Sequence, residues 1–599
     1  MRAKLTRTKQ MIISMKMKKI QYHFAIAAAA FGLTMSSCSE SFLDKLPDER
    51  TEIDSEDKVI DLLKSAYPSA NYSWIAELSS DNVIDNSTPH YPTNPNDKQI
   101  LAHYNYSSYD RWDDQLYKFE PATMATYSDY DSPGSLWGGY YEAIATVNHA
   151  LQAIDEIEAK SGMTKKLKAA KAEALLIRAY CHFCLVNVFA QAYKDDASNS
   201  RNIGVPYVTE VENVVHKDYP RGTVKEVYDK IQADLEAGLA DLNEGIYDHP
   251  KWHFNMNAAH AFAARFYLYK REYNKVIEHA NAVLGNTESS VKDMLLDFKG
   301  FTDCTTLSDY KNVWQNPSQN NNLLLMTTGS LLYRRCWGYR YSCAGLAARD
   351  VYCFTTANRD FWSGYMITPL LIANGAALSS STQDYGYISS KIFEQFEYSD
   401  KIAGIGYPHI ILRAFTANEL LLERAEAYIL TGQIDLGAQD LCYYWNLQID
   451  NFSEEDRTAY FDTGYIKYIT KEAIYKYYSV PQEKDGNVLP NWDFTQNISS
   501  DFVVTPEEVP YMNCLGWFRR METMFEGLRF FDLKRWGMEW SHKCGLYSEE
   551  IFLTKDDPNR AIEVPWEAIS AGMESSRPTV SSESNTNKLL LDPEQFRVK

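Results

Sequence analysis

Apolar residues recur at three- and four-residue steps through much of this 599-residue chain, and that spacing confines it to a helical architecture. Over 140–157 the stripe is Ile144, Val147, Leu151, Ile154 and Ile157; over 168–190 it is Ala172, Leu175, Ala179, Phe183, Val186 and Phe189. Thr223 followed by Glu226 forms a capping box, opening a helix striped by Val224, Val227, Ile231, Leu235 and Leu242. The alanine-rich segment 257–270 permits close helix approach, and 273–284 follows it, stopping at Gly285. Segments 418–430 and 435–445 form a further pair around Thr431-Gly432. No such pair buries its stripe alone, so neighbouring pairs must stack into a solenoid.

The densest mixture of charge and aromatic rings lies at 518–537. Glu522 and Glu526 are spaced one helical turn apart, with Arg519 and Arg529 bracketing them within reach of ion pairs. Met521, Met524, Phe525 and Leu528 supply apolar contacts beside them. Charges in such company must be paired to be buried. A fold-locking network accounts for them more simply than a catalytic carboxylate pair does.

The paired helices with small residues at their crossings resemble tetratricopeptide repeats, although long insertions blur any fixed period. The pattern Arg-Arg-x-Glu-x-x-x-Glu-Gly-x-Arg-x-x-Asp-Leu-x-Arg-Trp-Gly from Arg519 to Gly537 is similar to the C-terminal signature of the SusD/RagB family. Further blocks match in that family's order: 172–180, Gly204-Val205-Pro206-Tyr207, 221–235, 419–427 and Ile562-Glu563-Val564-Pro565. One departure lies at 440–452, where only Asn446 remains of an Asn-x-x-Arg ending. The resemblance implies an all-α dominated, tetratricopeptide-like solenoid with long loop-rich insertions. It also implies an outer-membrane lipoprotein that captures a glycan or peptide for a SusC-like TonB-dependent transporter.

The N-terminus agrees with export. Seven basic residues from Arg2 to Lys19 precede an apolar centre at 24–33 and then Ser36, Ser37 and Cys38, the order of a secretory signal. That centre is shorter than the ~20 residues a bilayer requires. Met35-Ser36-Ser37-Cys38 resembles a lipobox, with Met35 where leucine is usual. Cys38 is therefore expected to carry lipid, which anchors the chain without a spanning helix. The expected organisation is a signal peptide at 1–37 and one SusD-like domain at 38–599. Within it, 38–299 holds N-terminal repeats with an insertion at 72–133. Residues 300–401 form a variable, loop-rich ligand region, and 402–599 carry the last repeat and the signature helix. The expected location is the outer membrane, lipid-anchored and exposed at the cell surface.

A formal charge of −20 argues against nucleic acid, which demands clustered cations. Ten cysteines are too few for a disulfide scaffold in a chain of this length. Cys181 and Cys184 have CxxC spacing, but inside a helical apolar pattern, where buried thiols are expected in place of zinc. No cofactor and no metal is expected; Asp129, Asp131 and Asp485-Gly486 offer too few oxygens for a calcium loop.

Two insertions lack helical period yet are rich in rings: 72–133 and 300–401. Loops this long are functional or disordered, and abundant aromatics argue against disorder. Tyrosine outnumbers phenylalanine, 42 to 26, favouring rings whose hydroxyls reach water or ligand. A sugar presents a C–H face to such rings and hydroxyls to polar side chains. The expected ligand residues are Trp74, Asp81, Asn82, Tyr104, Trp112, Trp314, Trp337 and Tyr339. No catalytic residues are expected. A helical glycoside hydrolase would need two carboxylates flanking a cleft; Asp195-Asp196 and Asp556-Asp557 read as loop charges. A peptide-binding lipoprotein, or a protein-interaction scaffold without a small ligand, would also fit an exported helical chain.

Overall fold

The computed structural model describes residues 53–88, 107–212, 218–301, 304–336, 339–342, 389–450, 468–480, 482–484, 487–489, 492–495, 502–545 and 549–577. The chain divides into Met1–Ile53 and Asp54–Lys599, and every helix and strand named below belongs to the second unit. The signal segment and Cys38 lie outside the described residues.

Helices dominate. Those preceding the variable region are α1 (Glu56–Lys64), α2 (Ser73–Leu78), α3 (Arg111–Tyr117), α4 (Pro133–Ser161), α5 (Lys165–Phe189), α6 (Asp196–Asn199), α7 (Val224–Asp241), α8 (Met256–Lys270), α9 (Tyr273–Leu284), α10 (Glu288–Met294), α11 (Leu307–Trp314) and α12 (Leu332–Arg335). Those following it are α13 (Ala417–Leu430), α14 (Ile434–Asp450), α15 (Lys471–Tyr478), α16 (Val509–Glu522), α17 (Leu528–Trp536) and α18 (Trp566–Ser570). α4 packs on α5, α5 on α7, α8 on α9, α9 on α13 and α13 on α14, which is the stacking that the apolar stripes require.

Local chemistry sets the helix ends. Thr223 Oγ accepts from the Glu226 amide at 3.2 Å while Glu226 accepts from the Thr223 amide at 2.8 Å, closing the predicted capping box. α9 ends at Gly285 with φ +67°. α4 and α5 begin before their predicted starts because Ser132 and Thr164 cap them further out. α5 is long and apolar enough to cross a bilayer, but 94% of its apolar window is buried within the protein, so it is a core helix. A Cβ on Gly238 of α7 would lie 2.7 Å from Leu176 Cγ and 2.9 Å from the Ala172 carbonyl oxygen. Only glycine permits that crossing of α7 over α5.

Part of the region without helical period folds as a sheet. The strands are β1 (Ile84–Asp85), β2 (Asn322–Gly329), β3 (Tyr341–Ser342), β4 (Gln395–Asp400), β5 (Ile405–Thr416), β6 (Gln482–Lys484), β7 (Asn487–Leu489), β8 (Trp540–Cys544) and β9 (Glu549–Leu553). β2, β5 and β4 form an antiparallel sheet in that order, and β4–β5 is a hairpin. β1 pairs with β3, joining the two insertions.

The 518–537 segment is a buried charge hub, with a geometry that differs from the expected one. The helix does not run from Glu522 to Glu526: α16 stops, Phe525 and Gly527 adopt φ of +69° and +80°, and α17 begins. The two carboxylates therefore diverge. Glu522 accepts from Tyr444 and Asn418, and Glu526 pairs with Arg413 at 2.6 Å. Arg519 pairs with Asp532 at 2.8 Å, and Arg535 bridges Asp532 and Glu426. Arg529 reaches Asp81 at 2.7 Å, and Arg520 donates to Asn82 at 2.8 Å. Lys534 donates to the Asn187 and Ala190 carbonyls at the end of α5. The hub thus ties the repeats, the first insertion and the sheet together.

Candidate ligand-binding face

The described parts of the two aromatic insertions meet around Arg335, at the end of α12. Its side chain is 1% exposed and meets Asp110 at 2.6 Å, Asp113 at 3.2 Å and Asp131 at 3.3 Å. The rings of Tyr109, Trp112 and Trp74 surround the guanidinium, with centroids 4.6, 4.7 and 5.9 Å away. Burial disfavours the cation, yet Asp113, Asp131 and Asp110 hold its pKa above the ordinary arginine value. Burial also raises Asp113 to about 6, against the pull of Arg335 and a 2.8 Å bond from Trp74 Nε1. Asp131 adopts φ +60° and also accepts from Ser330 Oγ and the Leu331 amide. Arg340 forms a second clamp, binding Asp85 at 2.7 Å and Asp114 at 3.2 Å.

This locked interior supports an open edge. Tyr109 and Tyr339, both half-buried, meet edge to face at 4.8 Å. Arg334, beside them, donates to both Glu394 oxygens at 2.7 and 2.9 Å. Tyr333 packs on Phe393 at 5.2 Å, leading into the β4–β5 hairpin. On that hairpin Phe396 is 42% exposed, Tyr398 52% and Tyr407 41%, with Ile402 and Ile405 exposed at the turn. Phe396 and Tyr398 share one face, with ring centroids 4.9 Å apart. Tyr407, on the other face, donates to Glu397 at 2.7 Å, which raises its phenol pKa. Five large apolar side chains exposed on one hairpin are a surface that marks an interaction site. Ring faces with carboxylate, guanidinium and hydroxyl groups at their edges match an apolar-faced, hydroxyl-rimmed ligand.

The predicted residues separate by burial. Trp74 and Trp112 lie inside, around Arg335. Trp314 is buried between Arg413 and Lys391, at 4.8 and 5.2 Å. Asp81 is engaged by Arg529 and Arg520, and Asn82 bridges Arg520 and Glu77. Tyr339 reaches the open edge, while Tyr104 and Trp337 lie outside the described residues. Phe396, Tyr398 and Tyr407 are not among the predicted residues. Their signal is readable in the sequence: Phe396-Glu397-Tyr398 alternates as a strand does, and Gly404 and Gly406 follow a turn-rich Asp400-Lys401.

Other expectations meet plain structural roles. Asp195 caps α6, and Asp556 pairs with Lys194 at 2.9 Å. Cys181 and Cys184 are free and buried in α5, and burial pushes the Cys184 thiol up to about 12. Asp129 accepts from the Thr126 amide, and Asp485 lies outside the described residues. Among the described residues no group of three or more histidine, cysteine or acidic side chains is placed to hold a metal ion.

Residues 41–268 match a SusD-like family model described as starch-binding, associating with the outer membrane. Over that stretch the chain is similar to SusD-like proteins. Its fold is shared with a SusD superfamily protein from Bacteroides thetaiotaomicron, 17% identical, with a TM-score of 0.53 over 88% of this chain and 100% of that one. A SusD superfamily protein from Bacteroides vulgatus aligns at 19% identity and a TM-score of 0.51, over 88% and 99% of the two chains. A candidate sugar-binding protein from the same organism aligns at 19% and 0.55, over 88% and 100%. At these identities the structural likeness speaks for the fold. No curated protein matches the chain. In this chain the helix-pair stack is the scaffold, and the β4–β5 hairpin with the Tyr109–Tyr339 edge carries the exposed rings.

Proposed function

We propose that this protein binds an oligosaccharide nutrient at the outer membrane and passes it to a SusC-like TonB-dependent transporter, without a chemical step. The observation carrying the reading is the exposed aromatic hairpin beside the Tyr109–Tyr339 edge. Rings held at fixed spacing stack on sugar faces with little loss of side-chain freedom. The family description of starch binding and the sugar-binding description of a structural neighbour point the same way. Tyr104 and Trp337 are proposed as further ligand contacts in addition to Tyr339. Trp74, Trp112, Trp314, Asp81 and Asn82 are assigned to holding the face in place. Residues 1–37 are proposed to be removed and Cys38 lipidated, which tethers the chain at the cell surface.

The test is affinity electrophoresis of the mature chain through gels containing soluble starch, a β-glucan or a mannan. Retardation in one gel, without release of reducing sugar, is expected. Steady product release would indicate a hydrolase. Retention by peptides alone would indicate a peptide-binding lipoprotein.

A further inference from the structure

A cleft of about 870 Å³ opens on the repeat scaffold, sharing no residue with the aromatic face. It lies between α1, the 246–253 segment and β2, and its size falls within the range of small-ligand sites. Its wall is built from below. Glu173 of α5 is 0% exposed, and its Oε1 accepts from the Tyr67 hydroxyl at 2.8 Å and contacts His253 Nδ1 at 2.7 Å. Tyr67 also accepts from the Phe254 amide at 2.7 Å, which fixes the ring. His253 stacks on Tyr247 at 4.2 Å with planes 3° apart. Burial, with Glu173 beside it, holds the Tyr247 hydroxyl well above its ordinary pKa, so it stays protonated. One buried carboxylate thus pre-sets three rings of a cleft.

The rim narrows the ligand class. Lys64 pairs with Asp61 and Lys166 with Asp57, so the lysines are already neutralised and offer no anion site. Half-buried Trp252 stands beside exposed Asp248 and His249, with exposed Thr327 across the cleft. A ring face among hydroxyl, carboxylate and imidazole groups suits a neutral, hydroxyl-rich ligand. An added peptide strand fits less well. The β2 edge is capped at one end by the Gly329 amide bonding Ser69 and at the other by Asn255 bonding the Leu323 carbonyl, and Leu325 between them is buried.

We infer that this cleft is a second carbohydrate site, taking a short neutral oligosaccharide against Trp252. The inference rests on the glycan-binding reading for its ligand class, but on separate residues for its place. The test is calorimetric titration of the full chain in detergent with oligosaccharides of soluble starch, a β-glucan and a mannan. Wild type is compared with Trp252→Ala, Asp248→Ala and Tyr339→Ala. A biphasic isotherm is expected, with one phase weakened roughly threefold to tenfold by Trp252→Ala, as loss of a stacking contact implies. Asp248→Ala, exposed and folding-neutral, should weaken the same phase, while Tyr339→Ala weakens the other. A single phase, unaltered by both Trp252→Ala and Asp248→Ala but lost in Tyr339→Ala, would overturn the second site and leave the first standing. Absence of binding by wild type to every probe would overturn both.

Discussion

The interior around Arg335 and the β4–β5 hairpin use the same aromatic chemistry to opposite ends. Around Arg335, Trp74, Trp112 and Tyr109 enclose a guanidinium that three carboxylates neutralise. On the hairpin, Phe396, Tyr398 and Tyr407 stand in solvent and enclose no buried cation among the described residues. A buried charge must be surrounded and paired or it is too costly to keep; a ring in an insertion without one is free to face a ligand. Full burial beside a paired arginine thus marks Trp74 and Trp112 as anchoring rings, while half-buried Tyr109 covers the same guanidinium from the open edge.

The sharpest way to break this contrast is Arg335→Ala. It leaves Asp110, Asp113 and Asp131 crowded without a cation and should cost about 3–5 kcal/mol, the scale for stripping one partner from a buried pair. Urea unfolding measures it; a loss under ~1 kcal/mol would mean that those carboxylates are solvated and the interior is not locked.

A pH series sharpens the same boundary. Burial raises Glu77, which accepts from Asn82 and from the Gly527 amide, to about 7 from 4.5. The folded protein therefore keeps a proton that the unfolded chain has released between those values. Its favourable contribution is full below about pH 4.5 and is lost as pH rises through about 7, amounting to about 3 kcal/mol. Glu77→Gln should flatten that part of the Tm profile between pH 4.5 and 7.5; an identical slope in both proteins would exclude Glu77 as its source.

A smaller effect is expected at Gly527, whose Cβ would lie 3.0 Å from Ser73 Cα and whose φ is +80°. Gly527→Ala should destabilise by about 1–3 kcal/mol in urea. The smallest stability change belongs to the hairpin: Phe396→Ala and Tyr398→Ala should stay within about 0.5 kcal/mol of wild type, while glycan retardation falls.

The helical scaffold is legible in the sequence because a stripe such as Ile144-Val147-Leu151-Ile154 admits one period only, and the Thr223–Glu226 box marks its own helix start. The signature's burial is legible too, from charges that need partners. Its connectivity is not. The left-handed turn at Phe525 and Gly527 sends Glu522 and Glu526 apart, and their partners Tyr444 and Arg413 are distant in sequence. The same limit applies to the rings. Trp112 in one insertion and Arg335 in the other are 223 positions apart along the chain, and only the fold shows that they meet. Phe396 and Tyr398 give a fainter signal, since a short alternating strand stands out less than the dense Tyr and Trp of 314–365.

The most direct measurement is the mobility of Phe396→Ala/Tyr398→Ala/Tyr407→Ala, against wild type, in gels of the polysaccharide that retards wild type most. Retardation is expected to be lost while Tm stays unchanged. Full retardation of the triple variant, or loss only alongside a fall in Tm, would contradict it.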